Sequence, residues 1–187
     1  MLKVSEIMTT DVLTLSPDMT LREAVERLDT HEVSGAPVVA SGEVVGVLSQ
    51  TDLLAFEASE GEEPSYEEGD EAGPSDRWPE VEFVDESGEE DPGAFFAEFG
   101  HESHASLTER FRDPGMVTLG RLEEHSVGEV MTRRAVAVSP STSAAEAAQT
   151  MVRGRIHRLL VMDGRRLAGI LTSSDFVRAV AEGRLGG

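Results

Sequence analysis

The sequence repeats itself at a spacing of 123 residues, without a gap, and nothing else in it constrains the fold as strongly. Val4-Ser5-Glu6-Ile7-Met8-Thr9 aligns with Val127-Gly128-Glu129-Val130-Met131-Thr132. Ser16-Pro17 aligns with Ser139-Pro140, Gly46-Val47-Leu48-Ser49 with Gly169-Ile170-Leu171-Thr172, and Asp52 with Asp175. A unit of about 60 residues is marginal alone. Two such units in one 187-residue chain are therefore expected to share a core.

Each copy carries the same local signals. Val12-Leu13-Thr14-Leu15 is a short β-type run ended by Ser16-Pro17. Thr20-Leu21-Arg22-Glu23 is a capping-box pattern, followed by Leu21, Ala24, Val25 and Leu28 at helical spacing. The second copy repeats it from Ser143 to Glu146, with Ala144, Ala147, Ala148 and Met151. Apolar β-type runs at 36–40 and 44–49 flank the turn signal Ser41-Gly42. A further helix is expected from Thr51 in copy one and from Ser174 in copy two. The fold class is α/β, with the order β-α-β-β-α twice and one covered sheet face per unit. The open faces predict that the two units pack against each other.

These residues resemble the CBS domain family over about 2–57 and 124–182. The signature is an opening Met-Thr, a Ser-Pro before the first helix, Pro37-Val38-Val39, and Gly-x-x-[Ser/Thr]-x-x-Asp before the last helix. The resemblance implies a paired, pseudo-twofold Bateman module that binds AMP, ADP or ATP in clefts between the units. It also implies a regulatory rather than enzymatic role, and a homodimer. Mg²⁺ is a companion of ATP in that reading, and no other cofactor is expected. No effector domain is apparent in the chain, so the signal is expected to pass to another protein. The expected domains are a first unit at 1–57, an acidic, partly flexible insert at 58–123 and a second unit at 124–187. Two departures from the family stand out. The segment between the copies is long, and Leu160 stands where copy one has Pro37, within His157-Arg158-Leu159-Leu160-Val161.

Candidate binding residues follow. Ser49-Gln50-Thr51-Asp52 and Thr172-Ser173-Ser174-Asp175 read as helix capping boxes in their own right. The same geometry suits a nucleotide, because a helix N-terminus offers unpaired N–H groups and a carboxylate accepts from ribose hydroxyls. The resemblance assigns Asp52 and Asp175 to ribose and Arg158, aided by His157, to phosphate. A planar guanidinium binds phosphate through paired donors. Copy one has Ser34-Gly35 in place of His157-Arg158, so the sites are unequal. Asp52 and Arg158 are expected to serve one nucleotide, and the Asp175 site to bind weakly. Matching adenine positions are Thr10, Asp11, Val12, Val33 and Pro37, with Thr132, Ala135 and Ile156 in copy two. Val12, Val33 and Ile156 read equally as core residues.

Charge is placed unevenly. Residues 57–113 hold 20 acids and 3 bases, whereas 114–187 hold 7 acids and 10 bases, within a net charge of −20. So acidic a middle would repel nucleic acid. Residues 58–76 read as flexible. Trp78, Phe83, Phe95, Phe96, Phe99 and Phe111 then supply rings that either dock the insert or recruit a partner. His101-Glu102-Ser103-His104 and His125 lack the spacing of a zinc site and read as surface histidines. There is no cysteine, no apolar run long enough to span a bilayer and no visible signal peptide, which fits a cytoplasmic protein. No nucleophile–base set or phosphate-cradling glycine loop points to an enzyme. The alternative function is a ligand-free scaffold acting through the insert.

Overall fold

A computed structural model describes residues 1–59, 82–83, 94–97 and 119–184. The chain divides into two compact units, and they do not follow the linear order of the repeats. Unit 1 is drawn from Met1–Val12, Glu82–Phe99 and Arg134–Gly187; unit 2 from Leu13–Val81 and Gly100–Arg133. The body of each copy thus carries the opening segment of the other. The linear boundaries expected at 57/58 and 123/124 separate sequence copies rather than compact units. The flexible stretch expected at 58–76 lies, from residue 60 on, outside the described residues, as does His101-Glu102-Ser103-His104.

Unit 2 is built from α1 (Leu21–Thr30), β1 (Gly35–Ala40), β2 (Glu43–Ser49) and α2 (Gln50–Ala58). The short helices α4 (Leu119–Glu124) and α5 (Val127–Val130) complete it. Helix α1 begins where the capping box predicts: Thr20 Oγ1 accepts from the Glu23 amide and Glu23 returns a carboxylate oxygen to the Thr20 amide. Its apolar stripe, Leu21, Ala24, Val25 and Leu28, is buried against Leu15, Val38, Leu48, Leu53, Phe56 and Leu122. Strands β1 and β2 pair antiparallel across Ser41-Gly42. Both turn residues have positive φ (52° and 84°), which the Gly42 position tolerates without strain. The α4–α5 segment docks on the start of α1: the Val127 amide donates to Met19 O (2.8 Å), Gly128 to Pro17 O (2.9 Å) and Leu21 to His125 O (3.0 Å).

Unit 1 repeats this plan with α6 (Ala144–Gly154), β6 (Arg158–Asp163), β7 (Arg166–Thr172) and α7 (Ser173–Ala181). Its docked segment is the chain's N-terminus, a 3-10 turn at Val4–Glu6. The Val4 amide donates to Thr142 O (2.9 Å), Ser5 to Pro140 O (3.0 Å) and Ala144 to Leu2 O (2.9 Å). These are the unit 2 bonds displaced by 123 residues, with the segments exchanged. The unit also holds β3 (Glu82–Phe83), paired parallel with β4 (Arg134–Ala135), and a short helix α3 (Ala94–Ala97).

The first strands of the copies differ, for a reason visible in the sequence. In copy two, β5 (Ala137–Val138) pairs parallel with β6, and the Leu160 amide donates to Val136 O at 3.0 Å. In copy one the matching position is Pro37, which has no N–H to donate. There the β-type run 12–15 shrinks to one bridge, Leu15 to Val38, with Leu15 N donating to Pro37 O and Val39 N to Leu15 O. The remaining β-type runs and helices fall within a residue of expectation.

Candidate functional site

Each unit presents a carboxylate at the start of its last helix, beside a threonine from its docked segment. In unit 2, β2 runs into α2 with Ser49 as N-cap in extended conformation. Asp52 Oδ2 accepts from the Ser49 amide and hydroxyl, both at 2.7 Å. Among the described residues, Asp52 Oδ1 accepts a single long bond, 3.4 Å, from Thr132 Oγ1. Thr132 is held there by a pair of 2.9 Å bonds between its backbone and that of Val47. Burial pushes the Asp52 carboxyl above the usual aspartate range, and the Ser49 hydrogen bonds oppose it. Thr51 is exposed, Val33 half-buried against the core and Pro37 buried.

In unit 1 the same arrangement is closed off. Asp175 Oδ2 accepts from the Thr172 amide (2.7 Å) and hydroxyl (2.8 Å). Its Oδ1 accepts from Thr9 Oγ1 at 3.4 Å and, in addition, from Arg178 Nη2 at 2.5 Å. Arg178 also donates to Ile7 O (3.3 Å). Asp175 is 3% exposed. Position 55, the counterpart of Arg178, is alanine, so unit 2 has no cation there. One carboxylate is thus neutralised within its own helix, and the other keeps an oxygen with accepting capacity.

Arg158 opens β6 and is buried, with its guanidinium 4.9 Å from the centroid of Phe95. The His157 amide donates to Phe96 O (2.8 Å), and His157 O accepts from the Ser173 amide (2.9 Å) and hydroxyl (3.2 Å). Ile156 and Ala135 are buried, Ser174, Thr10 and Asp11 exposed, and Val12 half-buried. Unit 2 therefore gathers Val33, Pro37, Ser49, Thr51, Asp52 and Thr132. Unit 1 gathers Thr10, Asp11, Val12, Ala135, Ile156, His157, Arg158, Thr172, Ser174 and Asp175.

Sequence reasoning missed Arg178, Thr9 and the particular position of Phe95. Arg178 was findable as an Asp–Arg pair at i, i+3 on a helix. Thr9 was findable as the repeat mate of Thr132. No local signal locates Phe95. Among the described residues no cluster of His, Asp and Glu could hold a metal ion. His125, the one described member of the histidine set, pairs with Glu129 at 2.9 Å.

The chain belongs to the CBS domain family, whose profile matches residues 4–59 and 127–182. It is a pair of CBS repeats with a mixed α/β fold. It is 39% identical over 56 residues to inosine-5'-monophosphate dehydrogenase of Methanocaldococcus jannaschii, a match covering 29% of this chain and 11% of that one. It is 28% identical over 183 residues to the CBS domain-containing protein CBSCBSPB3 of Arabidopsis thaliana, covering 96% of this chain and 29% of that one. The chain thus spans less than a third of the length of each of these two relatives. Among solved structures it resembles CBSX2 in complex with AMP (TM-score 0.60, 22% identity, 98% and 99% of the two chains). It also resembles the CBS domain pair of MJ0100 in complex with 5'-methylthioadenosine and S-adenosyl-L-methionine (TM-score 0.56, 17% identity, 97% of each chain).

Proposed function

We propose that this protein is a cytoplasmic, non-enzymatic sensor that binds AMP, ADP or ATP and passes the occupancy signal to a partner protein. The observation that carries the reading is Asp52: a half-buried carboxylate at a helix N-terminus, with one oxygen held by Ser49 and the other engaged, among the described residues, by one 3.4 Å bond. A ribose diol supplies the donors that oxygen lacks. Arg158, with His157 beside it, is assigned to phosphate, and Mg²⁺ accompanies ATP if that is the ligand. Thr10, Asp11, Val12, Val33, Pro37, Thr132, Ala135 and Ile156 are assigned to adenine, Asp175 to the ribose of the second site, and Thr51, Thr172 and Ser174 to the remaining polar contacts. The Arg178 pairing makes Asp175 the weaker site. The adenosyl ligands of CBSX2 and MJ0100 support this ligand class.

A homodimer is part of the proposal. Val152 on α6 and Val177 and Val180 on α7 are exposed at 79%, 69% and 63%, an apolar set suited to a second copy. The competing reading, a ligand-free scaffold, draws its support from Phe95 over Arg158.

The test is thermal stability of the full chain with AMP, ADP, ATP, S-adenosylmethionine and NAD at millimolar concentration. A ligand at 100 times its Kd stabilises by about 2.7 kcal/mol, a shift of roughly 5–10 °C for a chain of this size. A shift abolished by Asp52→Ala is expected; no shift with any ligand refutes the sensor reading.

A further inference from the structure

The insert touches the residue assigned to phosphate. Within unit 1, α3 packs against β6, the strand that Arg158 opens. Phe95 and Phe96 are 1% and 0% exposed, their rings meet edge-to-face at 5.0 Å, and the Phe95 ring lies over the Arg158 guanidinium. The backbone is fixed as well, through the bond from the His157 amide to Phe96 O. An aromatic face attracts a guanidinium most strongly where both are desolvated, as here. A phosphate needs the in-plane donors of that group, and Arg158 is only 8% exposed.

We propose that α3 is a built-in competitor for the phosphate site: with Phe95 over Arg158 the site is closed, and a nucleotide phosphate binds by displacing this turn. The proposal rests on the assignment of Arg158 to nucleotide phosphate and adds a mode of regulation to it. Apparent affinity is the intrinsic affinity scaled by the fraction of molecules with α3 lifted. A partner that captures Phe95 and Phe96 raises nucleotide affinity, and nucleotide raises the availability of those rings to a partner, by the same factor.

The experiment is calorimetric titration of the full chain with AMP, ADP and ATP, in wild type, Phe95→Ala and Phe95→Leu. Phe95→Leu keeps an apolar side chain in the contact and removes only the ring, so it guards against loss of folding in the alanine variant. Both variants are expected to bind roughly five- to thirty-fold more tightly, the range set by one desolvated cation–π contact. Hydrogen exchange at the His157 amide is expected to accelerate when wild type is saturated. If wild type binds, the leucine variant binds no more tightly, and His157 stays protected, the competitor proposal is overturned and the nucleotide reading survives. If no protein in the set binds any nucleotide, the nucleotide reading falls and takes this proposal with it.

Discussion

Gly169→Ala should markedly destabilise this protein. A Cβ at Gly169 would lie 2.6 Å from Thr9 O and 3.1 Å from Met8 Sδ. The methionine can yield. The carbonyl cannot, because Thr9 and Ile170 are tied there by reciprocal backbone bonds of 2.9 Å each. Restoring ordinary contact requires a shift of nearly an ångström and breaks or stretches both bonds, at about 1 kcal/mol each. Overpacking adds about 1–2 kcal/mol more. The sum, about 3–4 kcal/mol, is a large part of a typical folding free energy of roughly 5–15 kcal/mol. It corresponds to a drop in Tm of roughly 6–15 °C for a chain of this size. The assay is urea unfolding at pH 7 with Gly164→Ala as control. Gly164 has a φ of 62° but nothing within 4 Å of the added methyl, so only about 1 kcal/mol of backbone strain is expected. Equal costs for the two variants, or a Gly169→Ala cost below about 1 kcal/mol, would refute the argument from close approach.

Three further outcomes are expected. Arg178→Ala leaves the buried Asp175 carboxylate without its cation and should cost about 1–3 kcal/mol in urea unfolding, less than a fully buried pair because Arg178 is half-exposed; a loss under 0.5 kcal/mol would show the pair to be incidental. For Asp52, burial raises the folded-state pKa, so the native state binds the proton more readily than the unfolded chain. Its contribution to stability therefore falls as pH rises through the ordinary aspartate range toward the raised value. The Tm advantage of Asp52→Asn over wild type should grow between pH 3.5 and pH 7, while nucleotide response is lost; a pH-independent difference contradicts this. Ser143→Ala removes an N-cap that accepts from the Glu146 amide and donates to its carboxylate, and should cost about 1 kcal/mol by the same unfolding assay.

Much of the fold was legible because its signals are local. The Thr20, Ser49, Ser143 and Thr172 capping boxes, the Ser41-Gly42 turn and the apolar stripe of α1 each depend on residues a few positions apart. The reduced first strand of copy one was missed, with residues 12–15 read as a β-type run, although its cause is local: Pro37 withholds the one N–H that Leu160 supplies in copy two. The exchange of opening segments was not legible. Val4 and Val127 carry the same residues whichever copy they dock on, so a repeat pattern cannot say which partner is chosen. At the candidate sites the sequence singled out Asp52 and Asp175 and read the Asp175 site as the weaker one, because Ser34-Gly35 stands in copy one for His157-Arg158, but it did not reveal how differently the two carboxylates are paired. That rests on whether position 55 or 178 carries a guanidinium, one turn along the helix. The seating of Phe95 over Arg158 depends on a contact across more than sixty residues of chain, which no local pattern encodes.

The crossed opening segments also govern how the molecule comes off the ribosome. Residues 1–12 are translated well before their docking partners, Thr142, Ser143 and Ile170, which follow more than a hundred residues later. Unit 2 can close once residue 133 has appeared, with its own N-terminal neighbour still unattached. The first dozen residues must then wait, tethered and unpaired, for the rest of the chain. Closing so long a loop adds little entropic cost per extra residue, but it delays completion. A nascent chain stalled after residue 133 would be half finished, and a cut in the middle segment would yield two fragments that each need the other to fold.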